Sequence, residues 1–381
     1  MTASRRAFLF LSTVLSAALP TALAACAAAP SPEGEHLAAD PAAVTTPPTP
    51  ASTASMADPG VFLQGGKFYA FATGSGLRQA TSSTAGGPWS APADVFDRSS
   101  VPAWVDLSQQ VWAPDMIQAA NGDYVVYFAA ALDAGAGTPP TSDTPAGNAH
   151  CIGSARSTSP TGKFVIDPHP VVCLPGYGAS DDMTADPADR QHGQGVIDPS
   201  PRQVTIDQET ELFLMFKTQG TSPSTIRMVR LSNQDGFSVL GDSHQLLASS
   251  GNTQADTLEG PSLIQHGSWF VLFVAHGNWD TCNYSTQWYK SQHIWSWSNA
   301  PTTLLNQANT GLCGPGGADV TGSQVSGQDR IFLHGWINEH GAPAPDSGAE
   351  DKTGATRGLY AAVLTWAADG FTPQVGAFLS P

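Results

Sequence analysis

An acidic residue, a short apolar stretch, a turn and a second apolar stretch recur five times along this 381-residue chain. The units open at Ala57-Asp58-Pro59-Gly60-Val61, Trp112-Ala113-Pro114-Asp115-Met116, Ile197-Asp198-Pro199-Ser200-Pro201, Leu258-Glu259-Gly260-Pro261-Ser262 and Gly317-Ala318-Asp319-Val320. Each leads into a second run: 68–71, 124–127, 212–216, 269–273 and 330–334. The acids are 57, 83, 61 and 60 residues apart and read as equivalent positions of one repeat. A further echo, Gln79-Ala80-Thr81-Ser82-Ser83 running on to Trp89 and Ser154-Ala155-Arg156-Ser157-Thr158 running on to Phe164, extends the first two units. Short strands with turn signals, repeating at blade size, predict an all-β fold, a five-bladed β-propeller. No stretch carries a sustained amphipathic helical period, which disfavours an α/β fold. The longer second interval holds segments rich in Gly, Pro, Ser and Thr at 134–149 and 174–194, expected to hang over one face of the disc.

The charge balance narrows the partner class. Against 16 Lys+Arg stand 32 Asp+Glu, a formal net charge of −16. Such a surface repels phosphate backbones and anionic lipid, so nucleic acid is not an expected partner; a neutral polysaccharide meets no such repulsion. The 38 glycines, 30 prolines and 10 tryptophans suit a sheet-rich domain with tight turns.

Residues 1–25 read as an export signal. Ser4-Arg5-Arg6-Ala7-Phe8-Leu9 opens an apolar run without acidic residues through Ala25, similar to a twin-arginine signal. Leu23-Ala24-Ala25-Cys26 resembles a bacterial lipobox, which makes Cys26 the expected lipid-modified first residue of the mature chain. A signal without lipid and a permanent span are the alternatives, and Pro20 weighs against the span. Residues 26–55, mostly Ala, Pro, Thr and Ser, read as a flexible tether, and 56–381 as one domain. The expected protein is exported, attached to the membrane only through a lipid anchor, and monomeric.

With Cys26 set aside, Cys151, Cys173, Cys282 and Cys313 remain. An even number in an exported chain suggests two disulfides, with three connectivities open. Sequential pairing, Cys151–Cys173 and Cys282–Cys313, closes the shorter loops and is the expected one. A thiolate metal site is the alternative, without CxxC spacing to support it.

The innermost strand of a propeller blade lines the central axis, so acids repeated at the head of that strand gather around one cavity. Crowded carboxylates oppose one another's ionisation, which raises some pKa values and leaves other groups charged. Glycosidic cleavage uses that separation: one protonated acid for the leaving oxygen, one ionised carboxylate for water or the anomeric carbon. An isolated Asp-Pro pair is more often a turn cap, and Asp40-Pro41, Asp167-Pro168 and Asp186-Pro187 occur here too.

At these residues the sequence resembles glycoside hydrolase family 43. The matching pieces are Ala57-Asp58-Pro59, Trp112-Ala113-Pro114-Asp115, Ile197-Asp198-Pro199-Ser200, Leu258-Glu259-Gly260-Pro261, and Thr356-Arg357-Gly358-Leu359-Tyr360 running into Leu364-Thr365-Trp366. Each motif is weak alone; in order, they span about 56–372. The resemblance implies a five-bladed inverting enzyme. Asp58 matches its general base, Glu259 its general acid, and Asp198 the carboxylate that orients the acid and raises its pKa. Inversion places base and acid roughly 6.5–9.5 Å apart, with room for the attacking water. Asp115 and Asp319 match no catalytic role and are expected to be structural.

Three further positions are implied near the substrate. Trp112 adjoins the cavity and offers a face for a sugar; Arg357 is placed to hydrogen-bond a hydroxyl or orient a carboxylate. His334 matches an axis-facing histidine that touches a central metal through water, although a lone histidine on an apolar strand is more often a core residue. No cofactor is needed for the chemistry; an axial ion is expected to be calcium or sodium with mostly water ligands. Trp104, Trp279, Trp288 and Trp336 are further candidates for a cleft wall, with buried packing expected for at least half.

The leading function is removal of arabinofuranose or xylose from hemicellulose or pectic arabinan by an exo-acting α-L-arabinofuranosidase or β-xylosidase. Phe216-Lys217-Thr218-Gln219-Gly220 resembles those members more than the endo-arabinanases. The alternatives are an endo-α-1,5-L-arabinanase, a non-catalytic lipid-anchored carbohydrate-binding propeller, or a propeller whose acids bind metal.

Overall fold

The repeat folds into five antiparallel sheets around one axis. The computed structural model describes residues 46–133, 149–173, 195–219, 223–251, 253–322, 328–338 and 354–381. The export signal, Cys26 and most of the tether therefore lie outside the described residues, as do 134–148 and 174–194.

The first blade holds β1 (Gly60–Gln64) and β2 (Lys67–Ala72); the two-residue β3 (Gly74–Ser75) leaves it for the next blade before β4 (Arg78–Ser82) and β5 (Ala93–Asp94) complete it. The second is β6 (Gln110–Gln118), β7 (Tyr124–Ala131), β8 (His150–Ser157) and β9 (Val165–Ile166), with β3 paired to β6. The third is β10 (Val196–Ile206), β11 (Glu209–Thr218), β12 (Thr225–Leu231) and β13 (His244–Ala248). β14 (Leu258–His266), β15 (Trp269–His276), β16 (Ser285–Ser291) and β17 (Thr302–Leu305) form the fourth. β18 (Cys313–Thr321), β19 (Asp329–Asn338), β20 (Ala355–Trp366) and β21 (Pro373–Leu379) form the fifth. A four-residue helix at Gln307–Thr310 and a 3-10 turn at Gln254–Asp256 are the helical elements named among the described residues. The first strand of each blade touches its counterparts on both sides, β1–β6–β10–β14–β18 and back to β1.

Strand periodicity decides what each blade face meets. In β11, Leu212, Leu214 and Phe216 pack toward the second blade's core, while Phe213 and Met215 pack with Leu263, Leu272 and Val274 of the fourth. In β19, Ile331 and Leu333 meet Val271 and Phe273 of the fourth blade, and Phe332 meets Phe68 and Leu359. Both faces of the second strand of a blade are thus covered, which is why β7, Tyr124–Ala131, is buried throughout and reads as one apolar run. Each large apolar side chain so buried contributes roughly 1.5–3 kcal/mol. The same alternation puts Lys217 on the face of Phe213 and Met215, and His334 on the face of Phe332.

The ring is closed by the segment before β1, which pairs with β20 of the last blade. Ser52 and Leu359 donate to each other's carbonyls at 3.2 and 2.9 Å, and Met56 N–H donates to the Arg357 carbonyl at 2.8 Å. Ala51 is buried and Ser52 paired, so the segment just before residue 56 packs against the last blade. Both disulfides follow the expected pairing: Cys151–Cys173 lies within the second blade, and Cys282–Cys313 ties the β15–β16 loop to β18.

Candidate active site

Each inner strand carries a left-handed residue near the axis, within the strand in the last four blades and just before β1 in the first. These are Asp58 (φ 51°), Ala113 (φ 42°), Asp198 (φ 57°), Gly260 (φ 54°) and Gly317 (φ 56°). In the last four the pairing register shifts there, across 112–115, 197–200, 259–262 and 316–319. A bulge of this kind bends the strand and re-aims its side chains. Left-handed backbone costs a non-glycine residue about 1–3 kcal/mol, and Asp tolerates it better than most.

The bulges also correct the register read from the acids. Asp58 and Asp198 share the left-handed position, Glu259 stands one residue before it, and Asp115 and Asp319 stand two residues after it. The five acids therefore form two groups. Asp58, Asp198 and Glu259 turn toward the mouth of a cavity of about 350 Å³, and Asp115 and Asp319 line its floor.

Asp58 accepts from Arg357 Nη1 at 3.0 Å on Oδ1 and from the Thr73 hydroxyl at 2.7 Å on Oδ2. Burial pushes its pKa up, but the Arg357 guanidinium and the Thr73 hydrogen bond outweigh that and hold it below 3.8. Its backbone N–H donates to His334 Nδ1 at 3.1 Å. That bond assigns the proton of neutral His334 to Nε2, and burial, with Arg357 adding to it, lowers the His334 pKa to about 3. Gly317 makes room for this contact, since a Cβ there would lie 2.8 Å from the His334 ring.

Opposite stand Asp198 and Glu259. Glu259 Oε2 accepts from Lys217 Nζ at 2.7 Å, and Oε1 from the Tyr284 hydroxyl at 2.8 Å. Asp198 Oδ2 accepts from the Gly260 N–H at 3.0 Å. Burial, then repulsion from Glu259, raise Asp198 to about 7 despite Lys217. Burial also pushes the Tyr284 phenol well above 10, so it remains a donor.

The floor is an ionic plug. Arg202 Nη1 donates to Asp115 Oδ2 at 3.0 Å, and Nη2 bonds Asp319 Oδ1 and the Ser262 hydroxyl. Arg202 Nε donates to the Leu263 carbonyl at 3.0 Å, and Asp319 Oδ2 accepts from the Val61 N–H at 2.7 Å. All five inner strands are thereby joined at the axis. Asp115 and Asp319 are both bonded to Arg202, with Asp115 raised by burial and by Asp319 to about 8.

Trp112 lines the cavity and stacks on His150, ring centres 4.0 Å apart. Arg357 lies 4.7 Å from the Trp279 ring centre and 5.7 Å from that of Trp336. Of the four other tryptophans, Trp104, Trp288 and Trp336 are buried, and Trp279, 37% exposed, lines the cavity. His334, expected at the substrate and at an axial ion, is instead fully buried beneath Asp58, with Nδ1 occupied by the Asp58 N–H, and it does not line the cavity. Among the described residues no group of three or more His, Cys, Asp or Glu is placed to hold a metal ion. Sequence reasoning missed Lys217, Tyr284 and Thr73. Only Lys217 left a signal: a lone charge ending the apolar alternation of β11.

The profile of glycosyl hydrolases family 43 matches residues 47–372. The chain belongs to this family. It is a glycoside hydrolase, and family 43 chemistry needs no cofactor. Solved structures agree on the fold. The α-L-arabinofuranosidase from Lactobacillus brevis is 16% identical, covering 84% of this chain and 94% of that one, with a TM-score of 0.60. The exo-1,5-α-L-arabinanase from a bovine ruminal metagenomic library is 18% identical, covering 86% and 98%, with a TM-score of 0.59. The endo-1,4-β-xylanase from Bacteroides thetaiotaomicron is 17% identical, covering 87% and 98%, at 0.60. Among curated proteins none matches. The family 43 hydrolase described here thus has the five-bladed architecture expected from its repeat.

Proposed function

We propose that this hydrolase is an inverting, exo-acting α-L-arabinofuranosidase or β-xylosidase that trims plant cell-wall polysaccharides or their oligosaccharides. The observation that carries the reading is one cavity lined by three carboxylates in different settings: Asp58 held by the Arg357 guanidinium and the Thr73 hydroxyl, and Asp198 raised to about 7 by burial and by Glu259. Asp58 is the general base. It takes a proton from water as the water oxygen bonds the anomeric carbon, and the glycosidic electron pair leaves with the departing oxygen. Glu259 is the general acid, supplying that oxygen's proton, with Asp198 as its orienter and proton partner. Arg357, Trp112 and Trp279 surround the sugar.

The exo reading draws on the resemblance of 216–220 and on the cavity, near the lower end of the range of roughly 300–1,000 Å³ for small-molecule sites, which suits a chain end. The alternative within the family is an endo-α-1,5-L-arabinanase. The segment 1–26 supports an exported protein tethered through Cys26. The test is hydrolysis of nitrophenyl arabinofuranoside, nitrophenyl xyloside, xylobiose, arabinotriose and linear arabinan, beside Asp58→Asn and Glu259→Gln. Release of single sugars with inverted anomeric configuration, lost in Asp58→Asn, is expected. Internal cleavage of arabinan favours the endo reading, and equal rates in wild type and variants reject the catalytic roles.

A further inference from the structure

Residues 277–284, the turn between β15 and β16, reach both sides of the cavity at once. Gly277, Asn278, Trp279 and Tyr284 line it. At one end the Trp279 ring backs the Arg357 guanidinium, which bonds Asp58; at the other the Tyr284 hydroxyl donates to Glu259 Oε1 at 2.8 Å. The Tyr284 ring also stacks on His334, centres 5.7 Å apart and planes 10° apart. The segment itself is two short turns: the Thr281 N–H donates to the Asn278 carbonyl at 3.0 Å, and the Tyr284 N–H to the Thr281 carbonyl at 3.3 Å.

Under these turns lies the glycine-rich head of β18, Cys313-Gly314-Pro315-Gly316-Gly317. A Cβ at Gly314 would lie 2.8 Å from the Thr281 carbonyl oxygen, and one at Gly316 would overlap the Tyr284 ring. Close approach here depends on bare backbone, which has no side chains to interlock with the turns above. The Cys282–Cys313 bond supplies an attachment in the middle of the segment, three residues from Trp279 and two from Tyr284. Both cysteines are buried with Trp336, whose Nε1 donates to the Trp279 carbonyl at 3.1 Å.

We propose that the Cys282–Cys313 disulfide is a positioning element of the active site, holding Trp279 against Arg357 and Tyr284 on Glu259 so that base and acid keep one geometry. This rests on the glycosidase reading above and adds a requirement to the same site. A disulfide ordinarily stabilises by constraining the unfolded chain. A bond that acted only in that way would move the unfolding midpoint and leave the rate of the folded enzyme alone. One that positions partners of the base and the acid changes that rate, since a misplacement of about 1 Å costs up to about 10²-fold. The charged and titratable groups facing Asp58 are Arg357 and His334 of the fifth blade, Asp198 of the third, and Tyr284 of the segment itself. Of these, residues 277–284 hold Arg357 through Trp279 and carry Tyr284 directly.

The test is kcat/KM against pH on arabinotriose or xylobiose, whichever wild type cleaves, for Cys282→Ala, Cys313→Ala and the double variant, each at a temperature where circular dichroism shows it folded. All three are expected to lose about 10–100-fold, the double no more than either single, because either substitution removes the same bond. The acid limb is expected at higher pH than in wild type, as Asp58 loses its fixed guanidinium. A second measurement needs no substitution, should the variants not fold. Dithiothreitol, itself oxidised to a cyclic disulfide, delivers two electrons and two protons to leave Cys282 and Cys313 as thiols. Wild type reduced until thiol titration shows both disulfides open is expected to lose rate to the same extent and to regain it on reoxidation. Folded variants with the wild-type acid limb, losses that sum in the double variant, or reduced wild type that keeps its rate each overturn the positioning role. An active wild type with any of these results leaves the glycosidase reading intact; a wild type that cleaves no glycoside overturns both.

Discussion

Arg357 reaches across the seam between the last and first blades to set Nη1 3.0 Å from Asp58 Oδ1, while its guanidinium lies against the Trp279 ring. One side chain thereby fixes a carboxylate and a half-exposed aromatic wall in a single geometry. Its charge is what keeps Asp58 ionised against burial. In Arg357→Met burial dominates, so the acid limb of kcat/KM moves to higher pH and activity near pH 5 falls about 10–100-fold. Arg357→Lys recovers only part, because an ammonium cannot both stack and aim a planar fork. A pH–rate profile checks this, and an acid limb left in place counts against Arg357 as the group controlling Asp58.

Loss of the acid depends on the leaving group. Glu259→Gln is expected to slow arabinotriose or xylobiose cleavage by about 10²–10⁴-fold. A dinitrophenyl glycoside leaves without a proton, so the same variant loses far less on it. Equal losses on both substrates would move the acid role away from Glu259.

Blade number was legible because every unit carries its own turn and apolar runs, and because inner strands meet at one axis the gathering of acids was legible too. The register was not. A bulge adds a residue by turning one backbone unit left-handed, and counting acids cannot see that. Pro59, Pro114, Pro199 and Pro261, each one residue after the left-handed position, carried the true register, with Ala318 in the fifth unit. Lys217 ends the apolar run of β11, and only its bond to Glu259 of β14 places it in the site. Tyr284 and Thr73 belong to the site through contacts 25 and 15 residues away within their own blades, and no strand periodicity announces them.

The axial plug predicts a stability effect with little bearing on surface chemistry. Arg202→Met leaves Asp115 and Asp319 buried without their cation, and breaking a buried pair in this way costs about 3–5 kcal/mol. Adding Asp115→Asn is expected to return part of it. Urea unfolding of the two variants beside wild type is the measurement, and an unchanged midpoint for Arg202→Met would exclude the plug as a major contributor.

His334 predicts acid sensitivity. An unfolded histidine binds its proton near 6.5, but the folded one only near 3. Between those values the unfolded chain holds more protons, so this residue's contribution is complete above about 6.5 and is lost as the pH falls toward 3. The slope is up to about 1.4 kcal/mol per pH unit. Asp115 and Asp198, raised to about 8 and 7, slope the other way between about 4 and 8. Unfolding free energies of His334→Gln against wild type at each pH isolate the histidine: the variant is less stable at pH 7, and the gap narrows as pH falls. A constant gap would mean that His334 is not held neutral.

The seam at Ser52 and Leu359 has a consequence for when activity can begin. Asp58 is made early, but the guanidinium that ionises it comes 299 residues later, on a strand of the final blade. A chain truncated before β20 that already possesses Asp198 and Glu259 still lacks the guanidinium that Asp58 accepts from. The first blade's carboxylate is thus held by a cation that only the fifth blade supplies.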